Sequence, residues 1–223
     1  MVRSFLILFY FDLKGYESDE NLWNPLAFLL TCFSLLLVSL EPELLVTPIG
    51  FSLFWIIFLF IVNLTFARFL RDDYEDGTID LLRMSPFAFE WVLITKFLGR
   101  WARLMGPFLV FLLTTGIIFG ASLEKYTHVL VCFLMSSLFL CAITAFISII
   151  SLGGKTSSYL GPLLSLPLNI PLLIINGLEI SFTAKLSYLG GFLALIFPLF
   201  LLAKHCIFVI KIPQGAEPHQ PIK

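Results

Sequence analysis

Six apolar stretches follow one another along the sequence, at approximately residues 22–40, 46–67, 104–122, 128–150, 159–178 and 187–209. Each is close to the length of about 20 residues that a helix needs to cross roughly 30 Å of hydrocarbon. Together they take up most of the 223 residues. The mean hydropathy of +0.98 fits a bilayer protein and lies far from the soluble range. The expected fold is therefore all-α: one bundle of six transmembrane helices over residues 1–223, with no separate soluble domain.

The opening MVRSFLILFYFDLKGYESDE contains one early Arg and a short apolar run, but no small-residue cleavage site follows, which argues against a cleaved signal peptide. Residues 1–20 read instead as an interfacial element. Its amphipathic helix runs over 1–16, with Arg3, Asp12 and Lys14 reaching water and the Phe and Leu side chains in lipid. If both termini are cytoplasmic, only Lys125 and Lys185 of the 14 Lys and Arg face the other side. That asymmetry has the sense of the positive-inside rule. A net charge of −1 gives no reason to expect a nucleic-acid partner. Cys32, Cys132, Cys141 and Cys206 all fall within spans without a CxxC pair and read as small packing groups.

Charge collects in one long connection, from Arg68 to Arg103, where RDDYEDGTIDLL holds Asp72, Asp73, Glu75, Asp76 and Asp80. Asp76-Gly77 signals a turn, since Gly readily takes the positive φ of a reversal. Thr78 is expected to cap a helix of about six residues with Asp80 in its first turn and Ser85-Pro86 as its stop. Ile79 and Leu82 share a face of this helix, which would be marginal in water unless docked. Its expected role is to be presented to another protein.

The acid cluster does not fit a calcium loop. With Gly77 sixth, Tyr74 occupies the third position and Arg83 the twelfth, where Glu is required. Catalysis is disfavoured as well, because a general acid needs a shielded site and this connection is hydrated. GGKTS at 153–157 ends like a phosphate-binding loop, but position 149 is Ile and membrane spans flank it. Neither a nucleotide site nor a metal site is expected. Farther on, Lys96, Arg100 and Arg103 recur among Trp91, Phe97 and Trp101, as in an interfacial anchor or an anionic contact.

The fifth span carries Pro162, Pro167 and Pro171. Each proline removes a helical hydrogen bond, so a kink or local unwinding is expected, with Asn169 donating to the freed carbonyls. Structural bending and a moving, gating element both remain open. Gly116 and Gly120 form a GxxxG in the third span, suited to close helix packing. His128 and His205 fall near opposite ends of the spans and cannot jointly grip one iron.

FLRDDYEDGTIDLLRMSP, with LPLNIPLLI at 166–174, NPLAFLL and the EPE loop, resembles the CcmB family, the haem exporter protein B permeases of cytochrome c maturation. The resemblance implies an ABC-2-like permease subunit in a bacterial inner membrane, paired with the ATP-binding subunit CcmA and working beside CcmC and CcmD. Haem would be the cargo of the complex, bound for the periplasmic chaperone CcmE, whose release in loaded form the partner's ATP hydrolysis would drive. The coupling segment would be 68–90, with Phe69, Asp72, Asp73, Asp76, Gly77, Thr78, Ile79, Leu82 and Pro86 meeting the ATPase. This chain itself would not be an enzyme. A non-coupling scaffold, or a permease for another cargo, stands as the alternative.

Overall fold

The computed structural model describes residues 23–39, 48–84, 89–118, 123–153, 160–178 and 180–209. The expected interfacial segment 1–20, the residues Ser85-Pro86, Gly120 and the polar tail lie outside them. All regular elements among the described residues are helical. They are α1 (Trp23–Ser39), α2 (Pro48–Phe66), α3 (Arg71–Glu75), α4 (Thr78–Arg83), α5 (Phe89–Ile118), α6 (Leu123–Ile150), α7 (Leu160–Gly177), α8 (Phe182–Ala194) and α9 (Ile196–Val209).

Among the described residues four stretches are long and apolar enough to cross a membrane: Ser52–Glu75, Phe89–Thr114, Thr127–Ile150 and Phe182–Ala203. Two shorter apolar helices, Ala27–Leu36 and Leu164–Gly177, accompany them. Within the described residues the apolar runs read from the sequence are helical, four of them with the length and hydropathy of a span, and two differences stand out. The basic approach and the third span are one helix, α5, of 30 residues. At 1.5 Å per residue it is about 45 Å long, more than the bilayer core requires, so its first turns extend past the apolar zone. The last span is broken instead of continuous: α8 ends at Ala194 and α9 begins at Ile196. Pro198 explains the break, because its ring would clash with the carbonyl of Ala194 in an unbroken helix, whereas the first turn of a new helix accepts proline.

The axis of the bundle is α6, which packs on α2, α5, α7, α8 and α9. Its sequence is apolar on every side, as befits a helix enclosed by others. Around it the abundant phenylalanines interlock edge to face: Phe58 of α2 meets Phe108 of α5 at 4.8 Å and Phe133 of α6 at 5.1 Å. Trp55 joins at 5.7 Å from Phe58. Edge-to-face pairs add about 0.5–1.5 kcal/mol each beyond burial. In lipid this matters, because leaving one apolar surface for another supplies little hydrophobic drive.

Phe58 is fully buried, whereas Phe60, two positions on, is 49% exposed and belongs to the outward stripe of α2 with Ile56 and Leu64. Phe58→Ala is expected to cost about 3–5 kcal/mol by leaving a cavity, and Phe60→Ala far less. Unfolding of both variants in detergent micelles checks this; equal losses would contradict the placement of the two rings.

Candidate functional site

At one end of the bundle the chain leaves α2 through the turn 67–70 and folds α3 and α4 into a hairpin. Two left-handed residues shape it. Leu70, at φ 62, turns the chain into α3, and Gly77, at φ 72, reverses it into α4. Gly77 therefore has the role that the Asp76-Gly77 signal indicates, and a Cβ there would meet nothing within 4 Å. Leu70 is the surprise, since αL costs a non-glycine residue about 1–2 kcal/mol. The strain is held by packing: Leu70 is buried, and Ser148 of α6 donates to the carbonyls of Ala67 at 3.0 Å and Phe69 at 3.3 Å.

The six residues Thr78–Arg83 form the expected short helix, but Gly77 is its N-cap, and Thr78 is its first helical residue with no side-chain cap. Asp80 lies in the first turn, as expected. Ile79 is buried and Leu82 is packed against the core, so the face they share rests on the bundle, with α4 against α5. The apolar side chains turned outward are Leu81, 69% exposed, and Met84, 78% exposed. This corrects the orientation expected of the short helix.

Phe69 roots the hairpin. It is buried against Phe66 at 5.8 Å and Phe97 at 6.5 Å, and the Arg100 guanidinium sits 5.7 Å over its ring. Phe97 in turn meets Phe200 of α9 at 5.1 Å. The acids divide the remaining work. Asp73 accepts a hydrogen bond from Lys96 of α5 at 2.7 Å, a half-shielded pair spanning two elements. Asp72 pairs with Arg68 at 3.5 Å and Glu75 with Arg71 at 2.8 Å, both along the exposed surface. The Arg71 hydrogen bond holds the Glu75 carboxyl below its ordinary value, with the charges of Arg71 and Arg68 adding in the same sense. Asp76, at the tip, is exposed.

Lys96, expected as an interfacial anchor or an anionic contact, pairs instead with an acid of the hairpin. The signal was present as opposite charge on neighbouring segments, but 23 residues separate the pair and no local pattern connects them. Trp101 likewise turns inward, donating to Ser137 Oγ at 3.2 Å, while Trp91 is exposed.

The family description "CcmB protein" matches residues 3–207. The chain belongs to the CcmB family. Among its relatives, the heme exporter protein B of Haemophilus influenzae is 25% identical over 184 residues, 78% of this chain and 83% of its own length. That of Rhodobacter capsulatus is 29% identical over 150 residues, 67% and 69% of the two chains. That of Pseudomonas aeruginosa is 28% identical over 168 residues, 72% and 73% of the two chains.

In this CcmB-family chain the proline-rich α7 stays one helix through Pro167 and Pro171. Both rings lie on the exposed side, and Ser165, Asn169, Leu172 and Asn176 line the buried one. Ser165 donates to Asn63 of α2, and Asn176 Nδ2 donates to Ser136 Oγ of α6 at 2.9 Å. Asn169 sits two positions from each proline, about half a helical turn away. It therefore does not serve the freed carbonyls: both its amide atoms are buried and find no partner among the described residues. Pro162 belongs to the first turn of this helix. His128, far from the hairpin, stacks on Phe182 at 3.9 Å, and His205 of α9 is exposed. Among the described residues no group of three His, Cys, Asp or Glu is placed to hold a metal ion.

Two measurements follow from this geometry. A buried amide without a partner costs about 1–3 kcal/mol, so Asn169→Leu should raise the unfolding midpoint in detergent, and a lowered midpoint would mean that the amide is bonded. Lys96→Met should loosen the hairpin by about 1.5–3 kcal/mol, the range of a hydrogen bond to a charged group. Faster limited proteolysis at 71–84 would report the loosening, and the swapped pair Asp73→Lys with Lys96→Asp should restore protection.

Proposed function

We propose that this chain is the permease subunit of an ABC-type complex for cytochrome c biogenesis, with six spans and both termini on the cytoplasmic side of a bacterial inner membrane. On this reading the α3–α4 hairpin is the surface that receives the stroke of a separate ATP-binding subunit, CcmA. CcmC and CcmD would stand beside it. Haem would be cargo of the complex, and release of haem-loaded CcmE the step that hydrolysis drives. The names of the relatives, heme exporter protein B, support the cargo class.

The observation that carries the coupling role is how the hairpin is fastened. A mere loop would hang from its two ends. This one is pinned through Phe69 to α5 and, by way of Phe97, to α9, through Ser148 to α6, and through Lys96 to α5 again. A push on its outer surface therefore reaches α5, α6 and α9 through short, stiff contacts, which a coupling free energy between an ATPase site and a membrane path requires. That outer surface offers Asp76, Leu81 and Met84: an acid to steer docking, and apolar groups to bury. Phe69, Asp73, Ile79 and Leu82 would support the surface from beneath. Asp72, Gly77 and Thr78 would shape its tip, and Pro86 would close the segment.

Asp76→Lys and Met84→Glu should each weaken copurification with the ATP-binding subunit, and partner ATP hydrolysis should fall with it, while membrane insertion stays normal. A haem stain of membranes from a deletion strain carrying each variant should show loss of c-type signal with b-type haem kept. Normal hydrolysis with loss of assembly alone would favour a scaffold, and unchanged c-type cytochromes would point to another cargo.

A further inference from the structure

At the end of the bundle away from the hairpin, the helices part around a cavity of about 560 Å³. Its walls come from α2, α5, α6 and α7, closed on one side by the start of α8. Nothing in the coupling role uses it. The volume lies within the range of about 300–1,000 Å³ typical of small-ligand sites.

The lining has two characters. Phe54, Trp55 and Phe133 make an aromatic wall, with Phe54 and Phe133 5.6 Å apart and Trp55 and Phe133 5.4 Å apart. At the rim are His128, stacked on Phe182, and Lys185. Lys185 Nζ donates to the Asn176 carbonyl at 3.2 Å, which ties the ammonium to the C-terminal turn of α7 and holds it at the cavity. An ammonium has three N–H donors, and among the described lining residues none is a carboxylate. Lys185 also stands in the first turn of α8, where the helix dipole adds positive potential.

A fixed cation beside an aromatic hollow matches an amphiphile with a negative head. The surroundings narrow the choice to one that arrives through the bilayer. α8 lies on the outside of the bundle, with Tyr188 58% exposed, so the cavity wall is also the protein's lipid-facing flank. A fixed ammonium forms charge-assisted hydrogen bonds with a phosphate or carboxylate head, and the aromatic wall receives the chain in exchange for bilayer lipid. A water-soluble anion would leave the aromatic wall unmatched, and a neutral lipid would leave the cation so.

We propose that this cavity binds an anionic acyl lipid, with its head on Lys185 Nζ and its chain against Phe54, Trp55 and Phe133. The head is a phosphate or a carboxylate. The site is independent of the hairpin and of the cargo assigned to the complex.

The test uses membranes containing the full chain with its partner subunits and two photoactivatable probes, a diazirine phosphatidylglycerol and a diazirine fatty acid. Captured probe is mapped by mass spectrometry. One or both should label Val129–Phe133, and the more efficient probe identifies the head group. Lys185→Ala should cut that labelling about tenfold, the effect of one hydrogen bond to a charged group, whereas Lys185→Arg should keep it. Val129→Trp, filling the cavity, should abolish it. Labelling of the exposed Leu201 and Leu202 should not change in any variant, and Asp76→Lys should leave all labelling intact. Labelling of Val129–Phe133 indifferent to both Lys185→Ala and Val129→Trp would overturn the proposal. So would the absence of acyl labelling there in a chain that instead holds metal-free protoporphyrin.

Discussion

Hydrocarbon offers no hydrogen-bond partner, so every polar group carried into it must find one inside the protein, and α6 shows how this chain uses that demand. Ser136, Ser137, Thr144 and Ser148 are all buried on this central helix. Thr144 returns its proton to the Leu140 carbonyl and Ser137 to that of Leu134. Ser136 spends its hydroxyl on Asn176 of α7, and Ser148 on the corner after α2. Ser137 also accepts from Trp101 of α5. Small hydroxyls let neighbouring helices come close and then fix their register, a role that bulk apolar contact cannot fill against a solvent as greasy as the core. α6 thereby sets α5, α7 and the corner after α2 in register, while α2 and α7 also meet directly through Asn63 and Ser165.

The hairpin depends on the same arrangement. Its root turns through a leucine in a left-handed conformation, tolerated because the surrounding contacts outweigh the local cost. Charge then serves two purposes in one short stretch. Asp73 reaches back to Lys96 and fastens the hairpin to the spans, while Asp76 remains outward at the tip. The concentration of acid in so apolar a sequence therefore has an inward reason as well as an outward one. A rigid mount is also a condition for the proposed coupling, because a stroke absorbed by a loose loop would never arrive at the membrane.

Helical class, the positions of the apolar runs, the glycine reversal and the length of α4 were all legible in the sequence, because each depends on local pattern. Which side of each helix faces inward was not. α2 is apolar all round, so hydropathy cannot tell Phe58 from Phe60; edge-to-face packing across three helices makes the choice. The face of α4 was misread for a related reason. Ile79 and Leu82 do form an apolar stripe, but a stripe does not state whether its cover is the same chain or another. Asn169 was assigned to the carbonyls freed by proline because both lie in one helix, and helical rotation puts them on opposite sides. The Lys96–Asp73 pair and the far cavity arise only from tertiary placement. The break before Ile196 has a local signal, Pro198, within an otherwise uniform apolar run.

That break changes what the last span is as a mechanical object. A helix unbroken from Phe182 to Val209 would be a single rod, and tilting it at one end would tilt it at the other. The link lost to Pro198 loosens that rod without dividing it, since Leu195 keeps right-handed helical angles, φ −75 and ψ −15, and Leu199 N–H reaches back to the Leu195 carbonyl at 3.2 Å. One half touches Phe97 through Phe200 and belongs with the hairpin, while the other keeps its seat on α6 through Phe192 against Phe139. The softest point of this span therefore falls between its two seats.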